Sequence, residues 1–190
     1  MNSLLRLLED GDIRSDGRAD AVAAEIIVKP QLFGLLWDGI YESNDIVRAR
    51  TAHALEKVSR EMPELFDEFL DQIIDIALDD NLPMVKWHFA MLVANLNLST
   101  QETKKVINLL IKFLNNKSVF VKTWSISSLT IIALKRSEYK QLIISEISFL
   151  KEDKSRAVRN RVNKSLNVLE KGMKMPKGWI KSNSLKIYFK

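Results

Sequence analysis

Along most of the chain, apolar residues return every three or four positions, and the helical stripes they form come in pairs. Residues 63–79 show the pattern best. Phe66, Phe69, Leu70, Ile73, Ile74 and Ala77 share one face, while Glu64, Glu68, Asp71 and Asp75 share the other. That acidic stripe, extended by Glu61, is read as a solvated outer face. The spacing predicts first helices over 31–42, 63–79, 100–115 and 138–150, and second helices over 17–28, 46–60, 83–97, 118–134 and 155–171. Pro30, Pro63 and Pro83 stand near helix starts, where a missing N–H costs little. Ser99 and Ser137 offer side-chain caps to two first helices. Short polar turns, such as Asp79-Asp80-Asn81 and Asn115-Asn116-Lys117, join the paired helices.

The pairs repeat. Ile46-Val47-Arg48, Met84-Val85-Lys86, Phe120-Val121-Lys122 and Ala157-Val158-Arg159 align, with the cations 38, 36 and 37 residues apart. Six residues before each cation stands an acid or its amide: Glu42, Asp80, Asn116 and Asp153. Eight residues after each Val comes an aliphatic: Leu55, Val93, Leu129 and Leu166. A fainter copy, Asp12 and Arg18, lies upstream at the same spacing. The register divides residues 1–171 into a degenerate N-terminal unit, 1–28, and repeats over about 30–60, 63–97, 100–134 and 138–171. Residues 172–190 depart from it as a basic, aromatic tail or cap. Stacking requires each turn to be fixed alike. An acid near one helix N-terminus beside a cation of the adjacent unit can do this, so the eight acid, amide and cation positions are assigned to a structural ladder.

The turn acid followed by Val-Arg or Val-Lys, as in Asp80…Val85-Lys86 and Asp153…Val158-Arg159, resembles the HEAT family of armadillo-like α-helical repeats. The resemblance covers about residues 30–171. Asn116 in place of an acid and Lys at two of the four cation positions depart from the pattern. The resemblance implies an all-α, right-handed α-α superhelix, a HEAT-like solenoid of about four to five helix pairs. It also implies that second helices line the concave side, and that the protein binds other macromolecules.

Composition agrees and excludes much else. Apolar residues make up 46% of 190 positions, enough for a substantial core, and only 6 Gly and 4 Pro are present, too few for a turn-rich β fold. The absence of Cys removes disulfide frameworks, thiolate metal sites and cysteine nucleophiles. The two histidines, His53 and His88, cannot build a histidine-rich metal cage, so neither metal nor cofactor is expected. The N-terminus lacks the pattern of a signal peptide, and the longest uncharged run, Trp87 to Gln101, is polar at its end and too short for a bilayer span. A cytoplasmic protein with no membrane partner is expected. Its net charge of +5 conceals a division: residues 151–190 hold 12 Lys and Arg against 3 acids, whereas residues 1–150 hold 17 against 21.

Candidate chemistry follows from the helical wheel of the second helices. With the repeated Val, its +4, +8 and +11 positions inward, the +2, +3 and +6 positions face the groove. There Trp87, His88, Met91 and Trp124 form a candidate partner-binding patch bordered by Arg50 and His53, residue types favoured in desolvated interface cores. Against this stands ordinary packing of both Trp rings between adjacent helices. The tail carries six Lys and no acid from Lys171 to Lys190, interleaved with Trp179, Ile180, Ile187, Tyr188 and Phe189. Such a mixture suits phosphate contact with base stacking, or covers the open apolar end of the stack.

No Gly-rich phosphate loop, zinc motif or catalytic Ser/His/acid spacing occurs, so no catalytic residue is assigned. Two enzyme classes of this fold were compared. Neither His53-Ala54 nor His88-Phe89 supplies the His-Glu pair of the iron-dependent hydroxylases. Glu56 is the sole concave acid available for a DNA-glycosylase-like arrangement, a distant third reading. The expected function is a non-catalytic scaffold binding a protein or peptide on the concave face. The alternative is nucleic-acid binding through Arg156, Arg161, Lys164, Lys171, Lys174, Lys177 and Lys181. Neither the partner's identity nor the oligomeric state is legible.

Overall fold

A computed structural model describes residues 2–189, with Tyr188 described by its backbone alone. The chain begins with a short helix, α1 (Ser3–Arg6), and a loop leading to α2 (Ala19–Val28). Four further hairpins follow the first pair: α3 (Phe33–Trp37) with α4 (Asp45–Glu61), α5 (Leu70–Asp79) with α6 (Pro83–Leu92), α7 (Thr100–Leu114) with α8 (Val119–Lys135), and α9 (Lys140–Ser148) with α10 (Arg156–Lys171). A last helix, α11 (Asn183–Tyr188), ends the described chain. The even-numbered helices α2, α4, α6, α8 and α10 pack on one another in sequence as an inner layer, and α3, α5, α7 and α9 lie outside them. Among the described residues, no helix is long and apolar enough to cross a membrane.

The inner layer packs closely because its helices carry small residues. Along α8, Ser125, Ser127 and Thr130 are buried and return their hydroxyls to the carbonyls of Val121, Thr123 and Ile126 one turn back. This removes the cost of an unpaired hydroxyl and lets neighbouring backbones approach. Thr130 also bonds Ser165 of α10 at 2.7 Å, and Asn95 bonds Ser59 of α4 at 2.9 Å, so buried polar pairs fix the register between successive units. One apolar core runs through the stack from Leu4 to Leu169, with Phe66, Phe89, Val121 and Val158 among its fully enclosed members.

The outer helices are less regular than their periodicity predicts. Only α7 runs without interruption, fixed at its start by a capping box: the Ser99 hydroxyl accepts from the Glu102 amide at 3.3 Å, and Glu102 accepts from the Ser99 amide at 2.7 Å. The outer helices α3 and α9 are flanked on both sides by 3-10 turns, and one precedes α5. The inner helix α6 stops at Leu92 instead of reaching 97. Beyond it, the Leu96 carbonyl accepts from Lys135 at 2.9 Å and the Leu98 carbonyl from Arg136 at 2.7 Å, so cations of the next unit replace helical bonds.

The ladder is present in part. Arg48 reaches forward to Asp80 at 3.1 Å, and Lys122 forms a buried ion pair with Asp153. Burial pushes the Asp153 carboxyl up, but the Lys122 ammonium and the Ser155 amide outweigh it and hold it below its ordinary value. Asp80, Asn116 and Asp153 also accept the amide two residues ahead, from Leu82, Ser118 and Ser155 at 2.7–2.9 Å. This short-range bond explains why acid and amide exchange freely at the position. Glu42, Lys86 and Asn116 depart, and Arg159 keeps to the carbonyls of its own turn, Asp153 and Lys154. Glu42 lends Arg48 its backbone carbonyl at 3.0 Å, and Asn44 caps the following helix instead, because a Glu side chain is too long for that turn. The next unit carries an amide, Asn116, in place of the acid; Lys86 turns back to the Leu78 carbonyl at 2.8 Å and lies over the Phe113 ring.

A candidate binding face on the inner layer

The residues of the proposed patch project from α4, α6 and α8. His53 and His88 stack with ring centroids 4.6 Å apart, and Trp87 stands edge-on to His88 at 5.3 Å. His53 Nδ1 lies 3.2 Å from a carboxylate oxygen of Asp16, in the loop before α2. Both imidazoles are held below their ordinary pKa: burial is the chief cause for each, and for His88 the neighbouring His53 and Lys181 add to it. Met91 is buried as packing, so it offers no surface anchor. Trp87 and Trp124 remain partly open. The Trp87 Nε1 and His88 Nδ1 atoms are enclosed without a hydrogen-bond partner, leaving unmet polar capacity in the face.

Arg50 does not border this patch. Its guanidinium is buried and takes the carbonyls of Leu8 at 2.8 Å, Asp12 at 3.0 Å, Ser15 at 3.1 Å, and Asp10. It fastens the loop before α2 to α4, and five fixed donors suit a ring of backbone carbonyls. Gly17, at φ +53°, makes room for it: a Cβ there would fall 2.6 Å from the guanidinium carbon. Glu56, the acid weighed for concave chemistry, is likewise buried and engaged by Arg60 through Nε, at 2.9 Å, and Nη2.

The largest departure concerns the tail. Gly172, at φ +65°, ends α10 in a left-handed cap, and the chain then folds back over the inner layer toward α4. Trp179 is buried, with the Arg161 guanidinium 4.6 Å above its ring; the same guanidinium lies 5.1 Å from the Trp124 ring, and Lys181 sits over Trp124 at 4.7 Å. Tail and body thus interleave rings and cations across the groove. Further along, Leu185 packs with Ala94 of the α6 end and Ile131 of α8, and Asn183 donates to Glu61 of α4 at 3.2 Å. The tail therefore covers the concave face, not the open end of the stack. The Tyr188 side chain and Lys190 lie outside the described residues.

This rearrangement divides the basic set. Arg161 and Lys181 are half-buried in the ring stack, and burial lowers the pKa of both. Arg156, Lys164, Lys171, Lys174 and Lys177 are exposed along α10 and the connector. Residues that the wheel omitted also belong to the face. Phe120 is 58% exposed and stands edge-on to Trp87 at 4.4 Å, one position before the repeated Val; its aromatic character was the available signal.

No family model and no curated protein matches the chain. Solved structures do. A chain in the complex of CpcE and CpcF of phycocyanin lyase from Nostoc sp. PCC7120 is similar at TM-score 0.70 and 19% identity, over 86% of this chain and 95% of that one. An engineered protein (TM-score 0.60, 16% identity, 89% and 78% covered) and a designed armadillo repeat protein (0.59, 18%, 87% and 80%) are similar as well. The chain folds as an α-solenoid of the HEAT and armadillo kind.

Proposed function

We propose that the protein is a non-catalytic interaction scaffold whose concave face holds a protein or peptide segment. One observation carries the reading: the face already grips a non-helical stretch of polypeptide, residues 173–182, through the interleaved Trp179, Arg161, Trp124 and Lys181 side chains. Aromatic and arginine anchors of this kind dominate segment-binding interfaces. Trp87 and the exposed Phe120 extend the same surface toward the helix N-termini, with His53 and His88 flooring it. The engagement of Glu56 by Arg60 favours binding over acid–base chemistry, since that carboxylate has no free position for a substrate.

A photo-reactive side chain placed at Trp87 on the concave face, or at Leu142 on an outer helix, tests this in the full chain. Cross-links to protein partners from position 87 and none from 142 support the reading; the reverse distribution contradicts it.

A second reading, nucleic-acid binding, draws on the exposed Arg156, Lys164, Lys171, Lys174 and Lys177. Trp179 is turned inward, so this flank would contact phosphates without base stacking. Affinity for duplex should then fall steeply with salt and lack sequence preference; no binding at low salt removes the reading.

A further inference from the structure

The segment that covers the groove is held differently from a repeat helix. Between Lys171 and Trp179 it has no helix, Gly172 and Gly178 both adopt positive φ, and Pro176 lies between them. Of its described side chains only Trp179, Ser182 and Leu185 are buried, whereas Lys174, Lys177, Asn183, Ser184, Lys186 and Ile187 are exposed. Its side-chain hydrogen bond to the body, from Asn183 to Glu61, is itself exposed. Few buried anchors on a glycine-flanked connector define an element that opens at low cost relative to the stack beneath it.

Lys181 brings the segment's charge to a part of the face that holds both acids and cations. The tail is lysine-rich and free of acids from Lys171 onward, while the body through residue 150 carries more acids than cations. Lys181 lies within the field of Glu56 and Asp16, with Arg60 and Lys57 opposing, and its ammonium rests on the Trp124 ring. The recognised features are thus a Trp, a Lys two positions on and an aliphatic residue six positions on: Trp179, Lys181 and Leu185.

We propose that residues 172–189 are a displaceable strap, and that the concave face serves an external basic segment with an aromatic anchor and a lysine two positions beyond it, which competes with the strap for the same contacts. The inference rests on the concave-face reading above and adds to it the chemistry of the partner and a threshold for its binding. An intramolecular competitor acts at high effective concentration, so the apparent affinity of the external segment falls by the fraction of molecules with the strap open. A partner that takes the face also releases the tail lysines.

The test uses the full chain and a fluorescent synthetic peptide of residues 174–187, followed by anisotropy. Three proteins are compared: the unaltered chain, a Trp179→Ala/Leu185→Ala variant with a weakened strap, and a Glu61→Cys/Asn183→Cys variant. The natural chain has no cysteine, so oxidation of the last variant ties the strap specifically. The peptide should bind the weakened-strap protein at least about tenfold more tightly than the unaltered chain. It should bind the oxidised cysteine variant at least about tenfold more weakly than the same protein reduced. A peptide with Trp179→Ala and Lys181→Glu should lose binding to all.

Equal affinity for all three proteins overturns the strap while leaving a segment-binding face elsewhere on the molecule. Absence of binding even to a folded weakened-strap variant, its tail amides exchanging freely, overturns the strap together with the concave-face reading. Cysteine cross-links that join two chains instead of closing one would show a swapped tail and overturn competition within the molecule. If the double alanine variant does not fold, the oxidised and reduced cysteine forms decide alone: equal affinity overturns the proposal.

Discussion

Arg48 donates its Nε to Asp80 across 32 residues of sequence, at 3.1 Å, tying the turn of one helical hairpin to the next. Lys122 and Asp153 repeat the contact two units later, and the intervening rung, Lys86 opposite Asn116, lacks the carboxylate. The missing rung can be supplied. Asn116→Asp keeps the bond to the Ser118 amide and gives Lys86 an acid to reach, as Lys122 has. The variant should gain about 0.5 kcal/mol. That corresponds to a rise of roughly 1–2 °C in Tm, smaller at high salt. An unchanged or lowered Tm would show that the rung is already satisfied by the Leu78 carbonyl.

Arg50 gathers four carbonyls of the loop before α2, and its loss leaves buried acceptors without donors. Arg50→Ala should cost on the order of 3 kcal/mol in urea unfolding. Arg50→Lys should recover only a minor part, because a single ammonium cannot span four acceptors. Gly17→Ala should weaken the same contact by crowding the guanidinium. Hydrogen exchange of the loop amides would rise in all three variants; full protection with Arg50→Ala would contradict the assignment.

The stacked histidines make stability depend on pH. A histidine whose folded pKa lies below its ordinary value takes a proton more readily when unfolded, so stability is full above about 6.5. It declines as pH falls below that value toward the folded pKa. Asp16, Asp20 and Glu56 favour protonation of His53, but burial and Lys57 outweigh them, and His88 is depressed further. The urea midpoint should drop between about pH 7.5 and pH 5.5, and His88→Gln should flatten the slope. A flat profile in the unaltered chain would show that neither ring is buried neutral.

The stack was legible in the chain, and the occupied groove was not. Val85 and Phe89 lie within one helix, where local periodicity states which face is inward. The cations at 36- to 38-residue spacing likewise exposed the repeat. Arg50 shows the limit: its partners are backbone carbonyls, which every residue carries, so no side-chain pattern marks them. Glu42 shows another, since spacing placed it at the turn while side-chain length excluded it from the bond that Asp80 makes. The contact of Trp179 with Arg161 depends on a reversal at Gly172 and on the path that follows it. Composition announced an aromatic, basic tail but could not say which surface receives it.

Trp179→Ala should open the tail without melting the stack. Trypsin would then cut after Lys171, Lys174 and Lys177 at least about tenfold faster, while the cations within α4 and α8 stay protected. Unchanged cleavage would mean that the Trp179 ring does not hold the segment.

The ring-current shifts of Arg161 and Lys181 in the proton–carbon spectrum of the full chain test most directly that the groove is filled by its own tail. Stacking on Trp124 and Trp179 should move the Arg161 δ-methylene and Lys181 ε-methylene protons upfield, and Trp124→Leu should return the Lys181 signal to its ordinary position. Both methylenes at unshifted positions in the unaltered chain would place the tail off the concave face.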